Sequence, residues 1–268
     1  MRHTLPKNPQ FYVTAPQECP YLEKQTERKL FTALYGSNST RLNNSLSKQG
    51  FRRSQNVLYR PSCSNCNACM SARISSTEFK QSKSQKRISI KNEDLIRVVK
   101  PPLATDQQYD LFKRYINKRH SNGGMSDMDA DDFTAMIEET NVESKLVEYY
   151  ANKNGTTELI SFSLVDILDD GISMVYSVFD PDMKERSLGT YMIIDHNYLA
   201  LEMMLKFVYL GYWVKGSSKM DYKKRFSPLE VFTDDKWICA TKATHRNFAI
   251  ENRSSEKQNV PIYLPSDQ

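Results

Sequence analysis

Apolar and polar positions alternate most regularly in the middle of the chain. The segments Ser144 to Ala151, Glu158 to Asp166 and Ser173 to Asp180 repeat as half-buried strands do, with side chains pointing to opposite faces in turn. Asn154-Gly155 and Asp169-Asp170-Gly171 between them are turn signals, so the segments predict an antiparallel meander. Through Arg186-Ser187-Leu188-Gly189-Thr190 the pattern changes to a long apolar helix, Tyr191 to Lys206, and then a strand, Phe207 to Val214. Ahead of the meander, helices are predicted at Asp106 to Arg119, behind a Thr105 cap, and at Met128 to Glu139. They are joined by Ser121-Asn122-Gly123-Gly124, a placement suited to the border of a substrate site. Nearer the N-terminus, Glu23 to Tyr35 and Asn38 to Gln49 read as short helices, the second closed by Gly50. Strand-like runs follow at Asn56 to Arg60 and Met70 to Ile74.

The composition changes at Lys100-Pro101-Pro102, which reads as a linker. The expected organisation is a domain over 1–100, a second over 101–240 and a mobile tail over 241–268, an α+β arrangement of two small cores. With 268 residues, 39% of them hydrophobic and 26% charged, the chain has the make-up of a globular protein. Neither a leader-like run at the start nor a stretch of roughly 20 apolar residues is present, so a cytoplasmic protein without a membrane partner is expected.

Charge changes the picture through clustering more than through its total. The net charge is +5, from 37 Lys+Arg against 32 Asp+Glu, well short of a chromatin protein, and no DNA partner is expected. Lys80, Lys83, Lys86, Arg87, Lys91, Arg97 and Lys100 form one basic stretch; Lys215, Lys219, Lys223, Lys224 and Arg225 form another, interleaved with Tyr209, Tyr212, Trp213 and Tyr222. Cations that neutralise phosphates, beside aromatic rings that stack on unpaired bases, suit an RNA end; a solvated basic face is the plainer reading.

The cysteines bring in possible metal chemistry. Cys63, Cys66 and Cys69 form C-x2-C-x2-C, with Cys19 remote in a Cys-Pro pair. Such a set of thiolates serves four-coordinate zinc or an iron-sulfur cluster, the tight run leaning towards the cluster, and four reduced thiols without metal are the alternative. Cys239 has no nearby ligand in sequence and reads as a small buried apolar residue.

The order meander, glycine-containing loop, helix, strand resembles the GNAT fold of the N-acetyltransferase superfamily, although the loop lacks the second glycine of the usual pyrophosphate-binding pattern. A more specific resemblance rests on motifs in series. Cys19-Pro20-Tyr21-Leu22, Gly50-Phe51-Arg52-Arg53-Ser54, Tyr59-Arg60-Pro61-Ser62-Cys63 and Ser82-Lys83-Ser84-Gln85-Lys86-Arg87 look like the N-terminal domain of the arginyl/leucyl-tRNA-protein transferases. Arg119-His120, Gly124-Met125, Val165-Asp166-Ile167-Leu168-Asp169-Asp170, Val175-Tyr176, Ser187-Leu188-Gly189-Thr190-Tyr191, Tyr209-Leu210-Gly211-Tyr212-Trp213 and Lys219-Met220-Asp221-Tyr222-Lys223 resemble its C-terminal domain. The resemblance runs from about Phe11 to Trp237. It implies a small cysteine-containing domain followed by a GNAT-like one. The C-x2-C-x2-C run and short length resemble the bacterial branch, which implies transfer of leucine from leucyl-tRNA to proteins or peptides with N-terminal Asp or Glu, marking them for degradation by the N-end rule pathway.

That reaction requires little of the protein beyond positioning. An aminoacyl ester is already activated, so amide formation needs neither ATP nor a Walker loop, and the chain has none; no cofactor is required for the transfer itself. An acidic acceptor side chain calls for a cation with fixed donors, for which Arg52, Arg53 and Arg87 are candidates. Asp166, Asp195 and His120 are candidates for proton handling. Tyr176, Tyr191 and Tyr212, with Gly189 and Thr190 of the loop, suit the aminoacyl-adenosine end, and Lys219 and Lys223 suit phosphate contact, sharing one face if their segment is an α-helix. Arginyl transfer to the same acceptors, a coenzyme A-dependent N-acyltransferase, and a noncatalytic metal-containing RNA-binding module are the other readings.

Overall fold

The computed structural model describes residues 9–119, 125–153 and 155–241. The N-terminal half contains strands β1 (Tyr12–Val13), β2 (Gln17–Glu18), β3 (Thr26–Glu27) and β4 (Lys29–Ala33), helix α1 (Ser39–Lys48), strands β5 (Arg52–Ser54), β6 (Val57–Pro61) and β7 (Cys69–Ser75), helix α2 (Lys83–Lys91) and strand β8 (Ile96–Lys100). Helices α3 (Asp106–Arg119) and α4 (Ala130–Glu138) come next, then strands β9 (Ser144–Lys153), β10 (Thr156–Ile167) and β11 (Gly171–Phe179). Helix α5 (Leu188–Glu202), β12 (Phe207–Val214), a 3-10 turn at Ser218–Arg225, and strands β13 (Leu229–Thr233) and β14 (Lys236–Cys239) complete it. The elements fall into two compact units: residues up to Ile74 together with those from Leu210 onward, and Ser75–Tyr209. This division is drawn differently from the sequence division at residue 100, because α2 and β8 belong to the second unit.

In the second unit, β8, β9, β10 and β11 are antiparallel neighbours. The step from β11 through α5 to β12 is a crossover, and β12 pairs with β11 in parallel, Gly171 opposite Phe207. A Cβ at Gly171 would meet the Phe207 carbonyl oxygen at 2.5 Å, so glycine is what lets the two backbones approach. The β9–β10 register shifts between Leu159 and Ser161. Leu159, Phe162 and Leu164 therefore pack with Leu111, Phe112 and Phe133 of α3 and α4. Ile160 packs instead with Leu188 of α5, and Ser163 approaches Met192 of the same helix.

Local sequence explains the helix starts. Ser82 Oγ accepts from Gln85 N–H at 3.3 Å while Gln85 Oε1 accepts from Ser82 N–H at 2.8 Å, a reciprocal cap. Asp129 and Asp132 do the same for α4, so this helix starts at Ala130 and not at Met128. The predicted helix Tyr191 to Lys206 is shifted to Leu188–Glu202, because Ser187 takes a left-handed conformation (φ 51°) and α5 starts directly after it.

In the first unit the predicted helix Glu23 to Tyr35 is replaced by strands β3 and β4. Lys29 to Ala33 pair along their whole length with Pro61 back to Val57, and Phe31 packs on Tyr12, so cross-strand pairing overrides local helical spacing. The sheet order is β1-β4-β6-β5, with α1 burying Leu42 and Leu46 and β6 burying Leu58. Strand β13 pairs with β7 and β14, the hairpin turning through Asp234 and Asp235, both at positive φ. Cys239 is half-buried and not buried, its Sγ 3.2 Å from Thr241 Oγ1 at a strand end. The tail expected over 241–268 lies, beyond Thr241, outside the described residues.

Candidate active site

In the first unit, the β2–β3 hairpin presents Cys19, held by a bond from its N–H to the Gln25 carbonyl. The loop after β6 presents Cys63 and Cys66, and β7 begins at Cys69. All four sulfur-bearing residues line one pocket of about 70 Å³ with Tyr21, Tyr59, Tyr212, Glu27 and Lys29. Burial, with the neighbouring Cys66, Cys19 and Cys63, pushes the Cys69 thiol up to about 12. Burial likewise raises Cys63. As a donor set, four thiols around one pocket fit zinc or an iron-sulfur cluster. Their positions are not a preformed coordination shell: among the described residues no group of His, Cys, Asp or Glu stands ready to hold a metal ion.

Tyr212, on β12, is buried, and its hydroxyl donates to the Tyr59 carbonyl at 2.9 Å with the Gly50 carbonyl at 3.2 Å. Arg52 Nη1 donates to the Leu210 carbonyl at 3.3 Å. Arg53 is buried, and its Nη1 donates to the Gln55 carbonyl at 2.8 Å. Lys223 is buried in the 3-10 turn and donates to the Tyr212 carbonyl, whereas Lys219 is exposed. A 3-10 turn advances about 120° per residue, so positions four apart fall on different faces, and the shared face expected for this pair is not formed.

The second unit brings together a different group. Asp195 on α5 accepts from the Tyr149 hydroxyl at 2.8 Å and from Arg97 Nη1 at 3.2 Å to each carboxylate oxygen. Arg97 also pairs with Glu202. Burial, then the Asp195 charge, raises Tyr149 well above the ordinary phenol range, and the same causes push Tyr191 to about 12; both are neutral donors near neutral pH. The Tyr191 ring meets that of Tyr149 edge-on at 5.7 Å. Burial lowers His196, whose Nε2 has no hydrogen-bond partner among the described residues.

The remaining sequence candidates of the second unit are spread over it. Asp166 on β10 is fully buried and accepts from Ser144 Oγ at 2.8 Å. Tyr176 packs on Phe112, and burial raises its phenol. Gly189 lies against the Phe179 ring, and Thr190 N–H donates to the Ser187 carbonyl. Arg87 is exposed on α2. His120, with the glycine-containing loop after it, lies outside the described residues. Sequence reasoning missed Tyr149, and it read Arg97 only as part of a basic stretch. The alternation along β9 was the one signal that marked Tyr149 as an inward residue.

Two family models match this chain in series. "Arginine-tRNA-protein transferase, N terminus" covers residues 17–87 and "Arginine-tRNA-protein transferase, C terminus" covers 107–233. The class is thus an aminoacyltransferase, and the chain belongs to the arginyl/leucyl-tRNA-protein transferase family. Among its relatives, a protein of Ruegeria pomeroyi named aspartate/glutamate leucyltransferase is 59% identical over 90% of this chain and 88% of its own length. Relatives of the same name from Paracoccus denitrificans and Dinoroseobacter shibae are each 55% identical; the first covers 88% of both chains, the second 100% of this chain and 99% of its own.

Proposed function

We propose that this protein transfers leucine from leucyl-tRNA to the N-terminal α-amine of proteins beginning with Asp or Glu, marking them for degradation through the N-end rule pathway. The observation that carries the reading is identity of 55–59% to aspartate/glutamate leucyltransferases over nearly the whole chain. In the second unit, the antiparallel β9–β10–β11 meander, helix α5 and parallel strand β12 follow the order of a GNAT-like acyltransferase domain. Among the described residues no helix is long and apolar enough to cross a membrane.

The chemistry asks for an uncharged amine held against an ester carbonyl, a group that takes the amine's proton, and donors for the oxyanion. Of the carboxylates, Asp195 is the better placed for proton handling, with its side chain 16% exposed against a fully enclosed Asp166. Tyr191, protonated at neutral pH, supplies a donor beside it, while the Tyr149 hydroxyl, already donated to Asp195, positions that carboxylate. Tyr176 and the Gly189-Thr190 turn are assigned to the aminoacyl-adenosine end, and the exposed Lys219 to phosphate. A metal or cluster, if the protein carries one, is held by Cys19, Cys63, Cys66 and Cys69, and it supplies cross-linking of the pocket; the transfer does not run through it.

Incubation of the protein with leucyl-tRNA or arginyl-tRNA and peptides beginning with Asp, Glu, Ala or acetylated Asp, followed by peptide mass, tests the reading. Leucine addition confined to free Asp and Glu ends is expected. Arginine addition would overturn the donor assignment, and an unchanged peptide mass with both donors would overturn the activity.

A further inference from the structure

Helix α2 holds four cations and no acidic residue: Lys83, Lys86, Arg87 and Lys91 in nine positions. At about 100° per residue, all four fall within an arc of roughly 140° and are exposed, while Gln85 and Asn92 fall on the opposite side and are buried. Lys80, just ahead of the helix, is exposed as well. None of these five has an ion-pair partner among the described residues. Elsewhere in the same unit Lys100, Arg114, Lys118 and Arg186 each reach a carboxylate. The arrangement works against its own helix. Lys83 stands in the first turn, where the helix dipole disfavours a cation, and Lys83, Arg87 and Lys91 repel one another at four-residue spacing. An anion lying along the row relieves both effects.

The helix is also fixed in place. Gln81 Nε2 donates to the Tyr198 hydroxyl at 2.7 Å just before α2 begins, and Asn92 Nδ2 donates to the Arg186 carbonyl at 2.8 Å where it ends. Tyr198 is on α5 and Arg186 lies just ahead of α5, so the two helices run antiparallel, and Lys91 is at the end of α2 nearer the Gly189-Thr190 turn. From Lys91 back to Lys83 the row rises about 12 Å in steps of about 6 Å, which suits a phosphodiester backbone offering one charge after another more than a single compact anion. We propose that this face of α2 binds the sugar-phosphate backbone of leucyl-tRNA next to its acceptor end, so that Arg87 is an RNA contact and not a contact for the acidic acceptor residue. This rests on the transfer reading above, in which the Gly189-Thr190 turn takes the aminoacyl-adenosine end. A strand leaving that turn passes Lys91 first and Lys83 and Lys80 last. Contacts of this kind read charge and not sequence, so the helix supplies affinity for the donor and no choice of amino acid.

The test compares the full chain with a Lys83→Gln, Arg87→Gln, Lys91→Gln triple variant and with Lys236→Gln, which removes an exposed cation on β14; folding is checked by thermal melting. Binding of uncharged tRNA is measured against salt. The triple variant is expected to flatten the slope of log affinity against log salt by about 2 to 3 and to weaken binding at least about tenfold, with Lys236→Gln unchanged. In steady-state transfer its KM for leucyl-tRNA rises, whereas kcat and the KM for an Asp-first peptide do not move. A leucylated fragment of the last few acceptor-end nucleotides, too short to reach the helix, is used equally well by both proteins. Unchanged tRNA binding in the triple variant, a loss of the same size per charge in Lys236→Gln, or equal impairment with the short fragment would overturn the proposal. Loss of binding to phosphatidylglycerol vesicles with tRNA binding intact would do so too, giving the face to a membrane. Should the triple variant not fold, Lys83→Gln alone is expected to flatten the salt slope by about 1; an unchanged slope sinks the idea. Binding of tRNA through α2 without any leucine transfer by the unmodified protein would reject the catalytic reading and leave this RNA face standing.

Discussion

Each unit encloses charged side chains, Glu148 in the second and Lys223 in the first, but their surroundings compensate them in different ways. In the second unit Arg97 lies between Asp195 and Glu202. There too Lys100 reaches Glu148 at 2.6 Å, and Arg186 grips Asp94 through two bonds at 2.8 and 2.9 Å. Glu148 takes further bonds from Gln108 and Tyr150. In the first unit Arg73 has Glu230 at 2.7 Å, but the more deeply buried Lys223 has, among the described residues, a backbone carbonyl, the Tyr222 ring and the like charge of Arg52 near it, and no carboxylate partner. A cation whose partner is built into the fold is scaffold. One enclosed without a counter-charge among the described residues costs stability and gives up its proton more readily.

The strongest way to break this contrast is to remove a built-in partner. Asp195→Ala leaves Arg97 with Glu202 alone and strands the Tyr149 hydroxyl inside the second unit, and urea unfolding is expected to show a loss of about 2 to 3 kcal/mol. A loss below about 1 kcal/mol would mean that the network is not scaffold. Next in size is Gly211→Ala, which places a methyl group where the Arg52 guanidinium lies and holds alanine at φ 70°. Destabilisation of roughly 2 kcal/mol in urea unfolding is expected, because Arg52 is displaced from the Leu210 carbonyl. A loss below about 0.5 kcal/mol would mean that the guanidinium moves aside without cost.

The smallest effects separate the units by pH. Burial raises Glu148, but bonds from Lys100, Gln108 and Tyr150 outweigh it and hold the carboxyl below its ordinary 4.5. Its contribution is therefore present above about pH 4.5 and lost as pH falls through the lower folded value, a loss that Glu148→Gln removes. Burial and then the Arg52 charge bring Lys223 from 10.5 down to about 7, so between those values the unfolded chain binds the extra proton and stability rises with pH. Chemical denaturation from pH 7 to 10 is expected to show that rise in the unmodified protein and a flatter profile in Lys223→Met. Parallel profiles would mean that the ammonium is not enclosed.

The regions that were legible in sequence are those whose partners lie close along the chain. The strands β9, β10 and β11 follow one another through turn signals, and α3 and α4 carry their own caps, so local pattern and tertiary need agree. The stretch 23–35 was misread because β4 is held by β6, about thirty residues on, and helical spacing in the intervening chain knows nothing of that pairing. The β13–β14 turn escaped notice because two aspartates, and no glycine, take its positive φ angles. The cysteine run was visible as a motif, and Cys19 as its remote companion; that all four line one pocket was not.

The amino-acid sequence by itself determined the family, the order of elements in the second unit, and the inventory of cations, carboxylates and thiols. Only the tertiary structure decided which of them compensate one another. Arg97 meets Asp195 across 98 positions and Arg52 meets Leu210 across 158, and no local periodicity reaches so far. Lys219 and Lys223 look alike in sequence, yet the 3-10 turn leaves one in water and encloses the other. The physical reason is that the cost of a charge depends on its dielectric surroundings and its neighbours, and both are properties of packing, not of composition.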